Sequence, residues 1–150
     1  MRRSNNPTAS DHGQDFKIMS ARILIVEDEM LVALELESLL CEIGYDVVGI
    51  APDLRVARDY FDERIDLALV DLNLRDGLTG PQIGATLSEK GVTVLFVTAN
   101  PRLLGEGIAG AIGVVTKPAD EDMVRAAVKY ALAVRQGASV EAPPDLQLFA

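Results

Sequence analysis

The chain has 150 residues, 49% of them apolar and 25% charged, an ordinary composition for one globular domain with its own core. A net charge of −9 gives no basic footprint for a phosphate backbone, so nucleic acid is not an expected partner. The longest apolar stretches, such as 92–97, are far too short to span a bilayer, and the N-terminus has no signal-peptide apolar region, so a cytoplasmic protein without membrane contact is expected.

Residues 1–20 are polar, carry Pro7 and Gly13 and show no apolar periodicity, so they read as a flexible N-terminal extension. His12, the sole histidine, lies there and is given no role, and Met19 is a second candidate start. The domain proper is expected over 21–136. Arg22–Val26 is a short β-rich run, and Val32, Leu36, Leu39, Leu40 and Ile43 follow at helical spacing, closed by Gly44. Cys41 falls in this helix; as the single cysteine it can form neither an intrachain disulfide nor a zinc site, and a packing role is expected.

Asp46–Ala51 reads as the second strand, and Asp53 can cap a helix reaching Arg64. Leu67–Val70 is the third strand. Thr79 and Gln82 have the spacing of a capping box for a helix to about Lys90, and 92–97 is the fourth strand. Between it and the fifth strand, 112–115, Pro101, Gly105, Gly107 and Gly110 argue against a regular helix. Past Pro118, Val124, Ala127, Val128 and Ala131 form one apolar stripe suited to core packing. Residues 137–150 read as a flexible C-terminal tail, with Leu146, Leu148 and Phe149 at a frayed end. Five apolar strands alternating with helices predict an α/β fold with a parallel sheet covered on both faces.

In such sheets the ligand site lies beyond the carboxyl ends of the strands. Glu27, Asp28 and Glu29 follow the first strand, Asp71 the third, Thr98 the fourth, and Lys117 with Pro118 the fifth. Taken singly, each has a bland reading as a helix cap, a turn residue or a solvated end. Together they deliver reactive groups to one rim. Clustered carboxylates raise one another's pKa and are stable as anions mainly around a hard cation, for which Mg²⁺ fits best. Asp71 is then a candidate nucleophile forming an acyl phosphate, with Lys117 balancing charge and Thr98 supplying a hydroxyl.

The series Ile23-Leu24-Ile25-Val26-Glu27-Asp28-Glu29, Leu69-Val70-Asp71, Phe96-Val97-Thr98-Ala99 and Thr116-Lys117-Pro118 resembles the receiver domain of response regulators, over about 21–135. The resemblance implies a single doubly wound, flavodoxin-like five-stranded sheet in the order 2-1-3-4-5, its helix between the fourth and fifth strands shortened or irregular. It implies phosphorylation of Asp71 by a sensor histidine kinase or histidine phosphotransfer protein, in a chain that signals by contact or serves as a phosphate sink rather than as an enzyme. Asp28 and Asp71 would ligate Mg²⁺, with Asn73 through its backbone carbonyl and Glu27 through water. Lys117 would bridge to the phosphoryl group, across an expected cis bond to Pro118, and Thr98 would be the switch hydroxyl.

The stretch 95–106 is similar to the variant found in alphaproteobacterial general-stress and related single-domain regulators, whose kinases are of the HWE or a related class. Asn73 and Asn100 occupy positions that tune phosphoryl lifetime in the family. Two other functions remain open. A haloacid-dehalogenase-type phosphotransferase also uses an aspartate after a strand, but Asn73 stands where its second Asp is needed. A pseudo-receiver would bind partners without phosphorylation, against which the intact set of Glu27, Asp28, Asp71, Thr98 and Lys117 argues. The switch and output residues are expected to be Thr98, Ala99, Asn100 and Val114. Val114 stands where many receivers carry an aromatic that rotates inward. Phosphorylation is therefore expected to shift amide resonances over 99–111 more than those of the fifth strand, and NMR shifts confined to that strand would contradict this.

Overall fold

Short apolar runs rich in Val, Ile and Leu leave no polar face, so they are stable only as strands buried on both sides. The computed structural model describes residues 20–149 and places these runs in one sheet. The expected extension over 1–20, with His12 and Met19, lies outside the described residues except for Ser20. In chain order the elements are β1 (Arg22–Val26), α1 (Met30–Ile43), β2 (Asp46–Ala51), α2 (Leu54–Arg58), β3 (Leu67–Val70) and α3 (Gly80–Glu89). They continue with β4 (Thr93–Thr98), a 3-10 turn (Pro101–Leu104), β5 (Ala111–Thr116), α4 (Glu121–Arg135) and β6 (Leu146–Leu148).

The sheet order is β2-β1-β3-β4-β5-β6, and β1 to β5 are parallel in the expected flavodoxin-like arrangement. Alternate strand residues face opposite layers. Ile23, Ile25, Leu69, Leu95 and Val97 pack under α1 and α4, with the stripe of Val124, Ala127, Val128 and Ala131 buried as expected. Leu24, Val26, Ala68, Val70, Val94 and Phe96 pack on the opposite side with Ile83 and Leu87 of α3. A side chain at Gly84 would collide with the Phe96 ring, so glycine lets α3 close directly on it.

The structure corrects four expectations. The sheet has six strands, because Leu146–Leu148 pairs antiparallel with β5 instead of fraying. Leu146 is buried among Val97, Val115 and Val128, and Gly113 lets the incoming backbone approach. Helix α2 stops at Arg58 rather than near Arg64. The chain then tightens into turns in which Asp59, Tyr60 and Phe61 donate to carbonyls three residues back, and the Tyr60 phenol packs where Gly49 lacks a side chain. Thr79 does precede α3, but its hydroxyl donates to Asp76 Oδ1 at 2.6 Å, so no capping box forms. Cys41 is exposed on α1, turned away from the core stripe.

Other local expectations hold. Asp53 Oδ1 accepts from the Val56 amide at 2.9 Å, Gly44 ends α1 with φ 117°, and the bond between Lys117 and Pro118 is cis. No regular helix joins β4 to β5. After the 3-10 turn, Gly105, Gly107 and Gly110 all take positive φ, which a helix cannot accommodate. Replacing the fully buried Phe96 with Ala should lower unfolding free energy by about 3–5 kcal/mol, read as a lower urea midpoint at unchanged slope.

Candidate functional site

Each strand hands one polar residue to the same rim because a sheet of parallel strands ends all its carboxyl termini on one side. Glu27 follows β1 with its amide bonded to the Ala51 carbonyl at 3.0 Å, and Asp71 follows β3 with its amide bonded to the Val26 carbonyl at 2.9 Å. Thr98 ends β4, opposite Thr116 of β5, and the Lys117 amide donates to the Thr98 carbonyl at 2.8 Å. Backbone ladders therefore fix the side chains before any of them interacts.

Lys117 stands at the centre. Its ammonium donates to Glu27 Oε1 at 2.6 Å and to Asp71 Oδ2 at 2.8 Å. Glu27 is 2% exposed and Asp71 9%, so both carboxylates are nearly removed from water. Glu27 Oε2 accepts from the Glu29 amide at 3.1 Å, and Asp71 Oδ1 accepts from the Leu72 amide at 2.6 Å. Burial raises the Glu27 pKa above the ordinary glutamate value, although hydrogen bonds from Lys117 and the Glu29 amide oppose it. For Lys117, burial works against the charge, but the hydrogen bonds to Asp71 and Glu27 outweigh it and the pKa rises.

Of the remaining expected residues, Asp28 is half-buried and Glu29 exposed at the entrance to α1. Asn73, Ala99 and Asn100 are exposed, and Val114 is buried between Phe96 and Gln147 in the sheet. Thr98 is fully buried; its Oγ1 accepts from the Asn100 amide at 3.1 Å, and among the described residues its hydroxyl donates to nothing. No group of three His, Cys, Asp or Glu residues is drawn together as a metal centre among the described residues. Glu27 and Asp71 are joined through the lysine instead.

Sequence reasoning missed a second polar cluster, which holds the loop after Asp71. Arg75 Nη2 meets Asp53 Oδ2 at 2.8 Å, the Arg75 amide donates to the Pro52 carbonyl, and the Leu54 amide donates to Asp76 Oδ2 at 3.1 Å. The Val56 amide, with Arg75, lowers the Asp53 pKa, and the Thr79 hydroxyl lowers that of Asp76. These partners lie about twenty residues apart, so no local spacing signalled them.

Residues 23–129 match the response regulator receiver domain. The chain belongs to that family. It is 36% identical over 125 residues to the phyllosphere-induced regulator PhyR of Methylorubrum extorquens, covering 80% of this chain and 46% of that protein. The chain thus spans about half the length of this curated relative. Among solved structures, the receiver domain of PhyR from Erythrobacter litoralis superposes with a TM-score of 0.69 at 32% identity, covering 81% of this chain and 97% of that one. PhyR from Brucella abortus gives 0.70 at 31% identity over 86% and 54%. The likeness of residues 95–106 to general-stress receivers agrees with these matches. Receivers of this kind are signalling proteins, not enzymes.

Lysine with a raised pKa contributes stability that is full below its unfolded value of 10.5 and is lost as pH climbs through the folded value. Lys117→Met should therefore remove part of the alkaline loss of stability, and it should push the Glu27 pKa still higher by deleting a counter-charge. Denaturation as a function of pH and carboxyl carbon NMR titration check the two effects; an unchanged Glu27 titration would contradict the ion pair.

Proposed function

We propose that Asp71 accepts a phosphoryl group from a phosphohistidine of a sensor kinase or phosphotransfer protein, and that this chain passes the signal on by protein contact. The observation that carries the reading is the Lys117 ammonium held between Glu27 and Asp71 at the rim of a receiver fold. A carboxylate oxygen of Asp71 attacks phosphorus while the bond from phosphorus to the imidazole nitrogen breaks, its electron pair remaining on nitrogen. Lys117, already bonded to Asp71, stays beside the oxygens that carry charge through the transfer.

The residues present suit Mg²⁺. Glu27 and Asp71, joined by Lys117, offer carboxylate oxygens, Asp28 follows Glu27 directly in the chain, and Asn73 would add a backbone carbonyl, all oxygen donors of the kind a divalent cation takes. When bound, the ion supplies further neutralisation of the phosphoryl oxygens. The free donor capacity of the Thr98 hydroxyl is what a phosphoryl oxygen would use.

A partner able to bring phosphohistidine to this rim has a surface to meet. Met30, Leu31 and Leu34 of α1 are exposed, and a groove of about 360 Å³ beside them is lined by Glu29, Leu36, Val97, Lys117, Pro118 and Val124. An apolar helix with a polar border fits such a groove. Among the described residues no helix is long and apolar enough to cross a membrane, and a cytoplasmic kinase domain is the partner class this surface suits.

Incubation with Mg²⁺ and acetyl phosphate should give one labile phosphoryl adduct by intact mass, absent from Asp71→Asn and reduced at least tenfold in rate for Lys117→Ala. A wild type that stays unmodified, or an adduct that persists in Asp71→Asn, would sink the reading. Turnover of many external phosphoesters would instead favour an enzyme.

A further inference from the structure

We infer that Phe149 is the aromatic side chain that senses the state of Asp71, and that the strand carrying it is held on β5 when Asp71 is unmodified and released when Asp71 is phosphorylated. The inference rests on the proposed phosphorylation of Asp71 and adds its read-out.

Residues 99–116 carry no aromatic side chain, and Val114 is small and wedged between Phe96 and Gln147. A ring reaches this part of the molecule from elsewhere. Phe149 lies against Phe96, with centroids 6.3 Å apart and planes tilted by 48°. It also lies over the backbone of Gly107, where any side chain would run into the ring. Gly107 also has φ 112°, so both its conformation and its bareness suit it to be the seat.

This seat connects to Thr98 through a short run of backbone. Thr98 Oγ1 accepts from the Asn100 amide, Asn100 precedes the 3-10 turn Pro101–Leu104, and the Gly107 amide donates to the Leu104 carbonyl at 2.8 Å. A Thr98 hydroxyl turned towards a phosphoryl group on Asp71 withdraws its oxygen from the Asn100 amide. The turn loses the contact that fixes its start, and Gly107 moves from under the ring. A segment of glycines and one 3-10 turn has little internal structure to resist this.

The tail is correspondingly easy to release. β6 is three residues long, its register pairs are Gly113 with Leu148, Val114 with Gln147 and Val115 with Leu146, and the Phe149 amide adds one bond to the Ile112 carbonyl at 3.1 Å. Leu148 is exposed, so the anchors are Leu146 on one face of the sheet and Phe149 on the other. Loss of the Phe149 seat removes one of two anchors, which is how a small shift becomes a two-state event.

The chain contains no tryptophan, so Phe149→Trp places a single indole in the seat. Acetyl phosphate with Mg²⁺ should red-shift its emission in step with the adduct measured by mass, and the shift should decay as the adduct hydrolyses. The same variant carrying Asp71→Asn should stay silent. In the wild-type chain, which tests the idea even if the indole fits poorly, amides 146–149 should exchange severalfold faster in the phosphorylated form. Because coupling is reciprocal, Phe149→Ala should raise the steady-state fraction phosphorylated at limiting acetyl phosphate severalfold, and Phe149→Tyr should restore it. A merely structural role would lower stability and leave that fraction unchanged. An adduct that forms while emission and exchange stay unaltered overturns the inference and leaves the phosphorylation of Asp71 standing; no adduct at all overturns both.

Discussion

One ammonium group holds the functional end of this protein together. Lys117 bridges two nearly buried carboxylates, Glu27 and Asp71, that arrive from different strands and would otherwise repel one another out of contact with water. Burial makes Glu27 reluctant to ionise and works against the lysine's charge too, but the hydrogen bonds from Lys117 to Asp71 and Glu27 make the lysine hold its proton, so the pair is a matched compromise. The arrangement satisfies both carboxylates at rest, with two acids set against one ammonium. The sheet order matters because it alone brings β1, β3 and β5 to one rim.

The site was legible in the sequence because parallel sheets impose a rule that links position in the chain to position in space. A polar residue directly after an apolar run must stand at the carboxyl edge, so Glu27, Asp71, Thr98 and Lys117 could be grouped without knowing any distance. What the sequence could not supply was the pairing within the group. Nothing in the spacing of Glu27 and Lys117, 90 residues apart, distinguishes a direct ion pair from a contact through water. The Asp53, Arg75 and Asp76 cluster escaped for the same reason.

The misjudged elements share a cause as well. Proline and glycine before Leu146 made the tail look unstructured, yet a strand of three residues needs only an edge to pair with and a pocket for one leucine. The Thr79 and Gln82 spacing suggested a capping box, but Asp76 lies closer in the folded loop and takes the hydroxyl. Helix α2 ended early because tertiary packing of Tyr60 overrode a favourable local pattern. By contrast, the irregular β4 to β5 crossover was readable, since backbone preferences of glycine and proline act locally.

The sixth strand also bears on how copies of this protein coexist at high concentration. Without it, Ala111–Thr116 would be an apolar edge strand with a row of unpaired amides and carbonyls, a template for joining the sheets of two molecules. The antiparallel Leu146–Leu148 covers the middle of that edge and offers outward a strand too short to propagate pairing, with Gln147 exposed and charged Asp145 just before it. The segment that ties Phe149 to its seat therefore also guards the sheet against self-association. Any event that lifts it trades solubility for exposure of a β edge.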